Sequence, residues 1–174
     1  TSFMSEQYLL WNQVLFDKFF NEHQSLMSIY LDVDDDVLST FDARTDLTND
    51  LVRSVRDLVV IKNSFSLSNI DSLLKNWKTH QHSPPPVVAF LGVLVVAANR
   101  MHATEEYTSV AYYPRLAEVL LGPEIDHETK EFFRNRLSSN AHLWDKYWDI
   151  LAQWLVSEQK SSLGRLAITN TLNS

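Results

Sequence analysis

Pro84-Pro85-Pro86-Val87-Val88-Ala89-Phe90-Leu91-Gly92-Val93-Leu94-Val95-Val96-Ala97-Ala98-Asn99-Arg100-Met101 is the stretch on which the fold turns. Five of the residues from Val87 to Met101 are valine, so composition alone suits a buried strand as well as a buried helix. Length decides between them: 87–101 is too long for an ordinary strand. A proline directly before the run also suits a first helical position, where the missing N–H costs nothing. No polar face interrupts the run, so it reads as a central helix packed on every side and makes the chain mainly α. The apolar part, Val87 to Ala98, is about a dozen residues, against the roughly 20 that a membrane-spanning helix needs.

Upstream of it, Thr79-His80-Gln81-His82-Ser83 and the three prolines read as an extended connection and as the best candidate for a sub-domain break, at 79–86. Before the break, Ser68 opens a short helix through Ile70, Leu73, Leu74 and Trp77. Thr48 or Asn49 caps another, over 50–62, with Leu51, Val52, Val55, Leu58 and Val59 on its core stripe and Arg53, Arg56 and Asp57 outside. Ser28-Ile29-Tyr30-Leu31-Asp32-Val33 is rich in β-formers and predicts one short strand or hairpin near 28–33, without an obvious mate. Asp34, Asp35 and Asp36 offer N-caps for a short helix through Val37, Leu38 and Phe41.

The first helix is expected over 5–24, capped by Ser5, with one apolar row at Tyr8, Trp11, Leu15 and Phe19 and a second at Leu9, Phe16 and Phe20. That face is wide enough to be buried on more than one side. Thr1-Ser2-Phe3 read as a short cloning scar before a start at Met4 and are set aside from functional reasoning. Downstream of the central run, Pro114 takes the first position of a helix that Gly122-Pro123 ends at Leu121. Two more helices follow over 126–137 and about 139–159. The sum is an irregular bundle of about seven helices, one domain over 4–160, with an irregular tail at 161–174 that reads as cut from a longer chain.

At 174 residues, 45% hydrophobic and net charge −7, the chain has the composition of one globular domain. Its three glycines are scattered, so no loop can fold its backbone N–H groups around a phosphate as nucleotide-binding loops do. The absence of cysteine removes disulfides, thiolate metal sites and cysteine nucleophiles, and fits a reducing, cytoplasmic setting. Residues 1–83 carry 7 basic and 12 acidic side chains and residues 84–174 carry 8 and 10, so neither half has the basic surplus of a nucleic-acid surface. The N-terminus lacks the pattern of a secretory signal.

Chemistry-bearing patterns are sparse. Asp32, Asp34 and Asp36 are metal candidates by composition, but a calcium loop counted from Asp32 would need glycine and glutamate where Val37 and Ala43 stand. Capping and a solvated turn explain the cluster as well. His80 and His82 could share a metal only if both project from the pre-proline loop to one side, and His127-Glu128 has no second histidine one turn on. No nucleophile elbow is present, and Glu105 and Glu106 diverge on a helix. The chain is therefore expected not to be an enzyme and to carry no cofactor. Arg100 and Arg115 are anion-binding candidates at the helix after Pro114, with pairing to Glu105, Glu106 or Glu118 as the plainer alternative. Aromatic residues say the most. Trp11, Phe19 and Phe20 in the first helix and Trp144, Trp148 and Trp154 in the last are interface candidates, since tryptophan and tyrosine commonly anchor interfaces.

Trp11-Asn12-Gln13-Val14-Leu15 leading to Ile29-Tyr30-Leu31-Asp32-Val33-Asp34, and Phe90-Leu91-Gly92-Val93-Leu94 leading to Tyr112-Tyr113-Pro114-Arg115-Leu116, resemble the N-terminal regions of large uncharacterised bacterial proteins from genomic islands and defence gene clusters. The resemblance covers the first two-thirds of the chain and implies a helical module whose effector activity lies elsewhere. The expected function is a non-enzymatic protein–protein interaction or assembly module that engages a protein partner or a following domain, with a homo-oligomer open. The alternatives are a nucleic-acid-sensing module using Arg53, Arg56, Arg134 and Arg136, and a metal-dependent hydrolase using Asp32–Asp36. No membrane is implied.

Overall fold

The computed structural model describes residues 2–19, 47–101 and 109–160. Among them are six helices and one two-stranded hairpin: α1 (Phe3–Phe19), α2 (Leu47–Val59), β1 (Val60–Ile61), β2 (Ser64–Phe65), α3 (Ser68–Thr79), α4 (Val88–Asn99), α5 (Ser109–Leu121) and α6 (His127–Lys160). The strand or hairpin expected near 28–33, the helix expected behind Asp34–Asp36, Glu105, Glu106 and the tail 161–174 lie outside the described residues.

The central run is a helix, α4, and it is buried from Val87 through Leu94 and again at Val96 and Ala97. Helices α1, α2, α5 and α6 all pack against it. Burial on every side leaves the first backbone N–H groups of such a helix without water, so they need protein acceptors. Val87 at the N-cap has no side-chain oxygen to offer. The acceptors come instead from α1. Asn12 Oδ1 accepts the Ala89 N–H at 3.0 Å while Asn12 Nδ2 donates to the Pro85 carbonyl at 3.0 Å. One turn earlier, the Tyr8 hydroxyl donates to the Pro86 carbonyl at 2.7 Å and accepts the Phe90 N–H at 3.4 Å. All three prolines of the run are buried. Burial drives the Tyr8 hydroxyl's pKa far upward, with the Phe90 N–H pulling weakly the other way.

The expected helix over 50–62 starts earlier and stops sooner. It begins at Leu47 and gives way after Val59 to the hairpin Val60-Ile61/Ser64-Phe65, in antiparallel register Val60 to Phe65 and Ile61 to Ser64. Lys62 and Asn63 make the two-residue turn at φ 51° and 64°. Left-handed backbone at both positions matches strand twist in a tight hairpin, and asparagine tolerates it better than most residues. The hairpin delivers one buried side chain, Phe65, whose ring lies edge-on to Phe90 (6.2 Å), Phe133 (5.9 Å) and Trp144 (6.1 Å). Edge-to-face rings at such separations contribute beyond their buried area. Asn69 Nδ2 then donates to the Leu58 carbonyl at 2.9 Å, satisfying one of the four carbonyls that the end of α2 leaves open.

Three expectations are corrected. The cap of α1 is Ser2, whose Oγ accepts the Ser5 N–H at 3.2 Å, so the residues set aside as a scar take part in the helix start. Pro114 is inside α5, not at its first position, because the helix already begins at Ser109. Helices expected over 126–137 and 139–159 are one helix of 34 residues, α6. No residue forces a break there: Ser139 Oγ and Asn140 Nδ2 both donate to the Arg136 carbonyl of their own helix, at 3.1 and 2.7 Å. The stop of α5 is as expected, with Gly122 at φ 100° donating its N–H to the Glu118 carbonyl at 2.7 Å. Among the described residues no helix is long and apolar enough to cross a membrane.

Candidate functional site: the outer face of α1

Successive α-helical residues are turned by about 100°, so spacings of seven and four residues return to nearly the same side. On α1, Tyr8, Asn12, Leu15 and Phe16 point into the fold. Phe3, Leu10 and Val14 form a second apolar stripe on the opposite side, and it is open: 72%, 60% and 39% of their surface is exposed. The stripe is about 16 Å long from first to last anchor, at 1.5 Å per residue. Met4 and Leu9 are also exposed, but each lies beyond one of the polar borders of the stripe. A helix held by one face against a core normally turns polar residues outward, and α1 does so only partly.

One border of the stripe is acidic. Glu6, Gln13 and Asp17 are exposed along it, and Gln13 Nε2 donates to Asp17 Oδ1 at 2.8 Å. The other border is formed by Gln7, Trp11 and Lys18, all half-buried. The inner face of α1 is rigidly set by the Tyr8 and Asn12 bonds to the start of α4, so the outer stripe is presented at a fixed angle to the rest of the molecule.

The residues singled out in the sequence fall in several places. Trp144 and Trp154 are core: Trp144 packs on Phe65, Phe90 and Tyr113, and Trp154 lies edge-on to Phe16 at 5.2 Å. Trp11 and Trp148 are partly buried against the same core. Phe20 lies outside the described residues, as does the side chain of Phe19. Trp154 Nε1 and Thr48 Oγ1 are buried with no hydrogen-bond partner among the described residues. Phe3, Leu10 and Val14 were not among the candidates. Their signal was legible as a third apolar row on the first helix, and setting Phe3 aside hid it.

Arg100 is exposed, whereas Arg115 is half-buried and lies 3.3 Å from Glu118, which Lys130 of α6 also reaches. The Glu118 pairing is the plainer alternative for Arg115, and the Lys130–Glu118 pair ties α5 to α6. Arg134 pairs with Glu131 at 2.8 Å, holding the Glu131 carboxyl below its usual range, and Arg53 stands 3.8 Å from Asp50. Asp126 caps α6 by accepting the Thr129 N–H at 2.9 Å, and that hydrogen bond lowers its pKa. Asp32, Asp34 and Asp36 lie outside the described residues. Among the described residues, no three His, Asp or Glu side chains converge to hold a metal ion. Comparison of the chain with protein-family models, curated proteins and solved structures finds no match.

Proposed function

We propose that the chain is a non-enzymatic helical module that docks a protein partner on the outer face of α1. The observation that carries this reading is the stripe of Phe3, Leu10 and Val14, apolar and open on a helix whose other face is fixed in the core. Single exposed apolar residues are ordinary, but three on one line of one helix make an apolar stripe of the sort that marks interaction sites. The sequence resemblance extends the proposal: such a module would form the N-terminal part of a larger bacterial assembly, defence systems included, working in the cytoplasm. The pairing of Arg134 with Glu131 and the approach of Arg53 to Asp50 give the nucleic-acid reading no support from those two side chains.

Photo-crosslinking in cells tests the docking. A photoreactive residue at position 10 is expected to give a discrete covalent adduct, while the same residue at position 149 on exposed α6 gives none. Equal yields at the two positions would refute the proposal.

A further inference from the structure

Independently of the docking reading, we infer that α6 carries a built-in joint at 138–143, where the helix opens locally while the segments on either side stay packed. From Phe133 to Trp154 the helix sets a buried residue every three or four positions, at Phe133, Leu137, Trp144, Tyr147, Leu151 and Trp154, with one exception. Between Leu137 and Trp144 no residue is buried: Ser138, Ser139 and His142 are exposed, and Asn140, Ala141 and Leu143 are half-buried. Each flank has anchors of its own. Lys130 pairs with Glu118 of α5 and Phe133 lies against Phe65, while Trp144 lies against Phe90 and Trp154 against Phe16. Most helical stability in a protein comes from packing, so α6 is held firmly at both ends and weakly across this stretch.

The backbone at the joint is also contested. An α-helix assigns the Arg136 carbonyl to the N–H of Asn140. Here that carbonyl also accepts from Ser139 Oγ at 3.1 Å and from Asn140 Nδ2 at 2.7 Å. Three donors converge on an oxygen with two lone pairs, so the helical bond is shared with side chains. When the Asn140 N–H lets go, the carbonyl keeps both side-chain donors, and the freed N–H lies on a stretch that water reaches. Opening there loses less than opening at a turn without such donors. Ser138, Ser139 and Asn140 in succession are also weaker helix formers than alanine, leucine or lysine.

Native-state hydrogen exchange of the intact chain, read amide by amide along α6 by NMR, tests the joint. The amides of 140–143 are expected to exchange roughly tenfold faster or more than those of 148–152, at a rate that does not respond to low urea, the mark of a local opening. The double variant Ser139→Val/Asn140→Val removes both side-chain donors, while valine stays close to serine and asparagine in helix propensity. It should slow exchange at 140–143 several-fold and leave 148–152 unchanged. Even protection from 138 to 152 would overturn the joint, as would exchange at 140–143 that rises with urea as steeply as at 148–152. Unchanged exchange at 140–143 in the double variant would overturn the part assigned to the shared carbonyl.

Discussion

Replacing Asn12 by alanine removes the side chain that completes the start of α4, and the size of the loss can be worked from the structure. Asn12 is 2% exposed, and both ends of its amide are engaged, one by the Ala89 N–H and one by the Pro85 carbonyl, each at 3.0 Å. Alanine leaves that N–H buried and unpaired, while the Pro85 carbonyl keeps the Val87 N–H at 2.7 Å. A buried polar group left without its partner costs about 1–3 kcal/mol, and that is the loss expected here. A domain of this size has a total stability of about 5–15 kcal/mol, so the variant stays folded in water but with a clearly reduced denaturation midpoint. Urea unfolding followed by circular dichroism, with an unchanged slope, reads the difference directly. Tyr8→Phe supplies a graded comparison: it removes one hydroxyl and no carbon, and should cost about 1–2 kcal/mol. Asn135→Ala, on the exposed face of α6, is the control and should stay within about 0.5 kcal/mol of wild type. If Asn12→Ala cost no more than Asn135→Ala, the reading of Asn12 as the cap of α4 would be wrong.

Two further outcomes follow from the fold. Gly122→Ala meets no atom at its Cβ but must hold φ near 100°, so backbone strain alone should lower stability by about 1–2 kcal/mol, or about 2–8 °C in thermal midpoint; an unchanged midpoint would show that the turn relaxes freely. Alkaline pH should unfold the protein through its buried tyrosines. An unfolded-chain tyrosine titrates near 10, and burial holds Tyr8 and Tyr147 protonated well beyond that. The stability they contribute is therefore complete below about pH 10 and is lost as pH rises above it, by about 1.4 kcal/mol per pH unit for Tyr8. Urea midpoints measured from pH 8 to 11.5 should be level to about pH 10 and then fall, less steeply in Tyr8→Phe; a level profile to pH 11.5 would refute the burial argument.

The helical class was legible because the decisive evidence is local. The length of the valine-rich run, the stripe of Leu51, Val55 and Leu58, and Gly122 before Pro123 are all read from neighbours in sequence. What was not legible depends on residues far apart. The hairpin turn Lys62-Asn63 lacks glycine and follows a clean helical stripe, so nothing nearby announces the switch; Phe65 is drawn into an aromatic cluster supplied by α4 and α6. Pro114 looked like a helix start because proline prefers that position, yet five helical residues precede it, and Tyr112 among them donates its hydroxyl to the Leu94 carbonyl at 2.9 Å. Asn12 sits on an apolar face with no local reason to be polar. The site was half legible: the width of the first helix's apolar surface predicted burial on more than one side, but the weight of tryptophan in the sequence pointed to Trp144 and Trp154, which the core absorbs.

The bonds from Tyr8 and Asn12 to Pro85, Pro86, Ala89 and Phe90 span 73 to 82 positions of chain. During synthesis α1 emerges before α4 and has nothing to cap until about 70 further residues have followed it. Closing so long a loop is entropically costly and slow compared with winding any of the helices involved. Until it closes, the most apolar helix among the described residues has an open end. The order of events is thus set by a polar contact: α4 becomes a finished core element only when the earlier-made α1 returns to it, and the outward stripe of α1 acquires its fixed orientation in that same step.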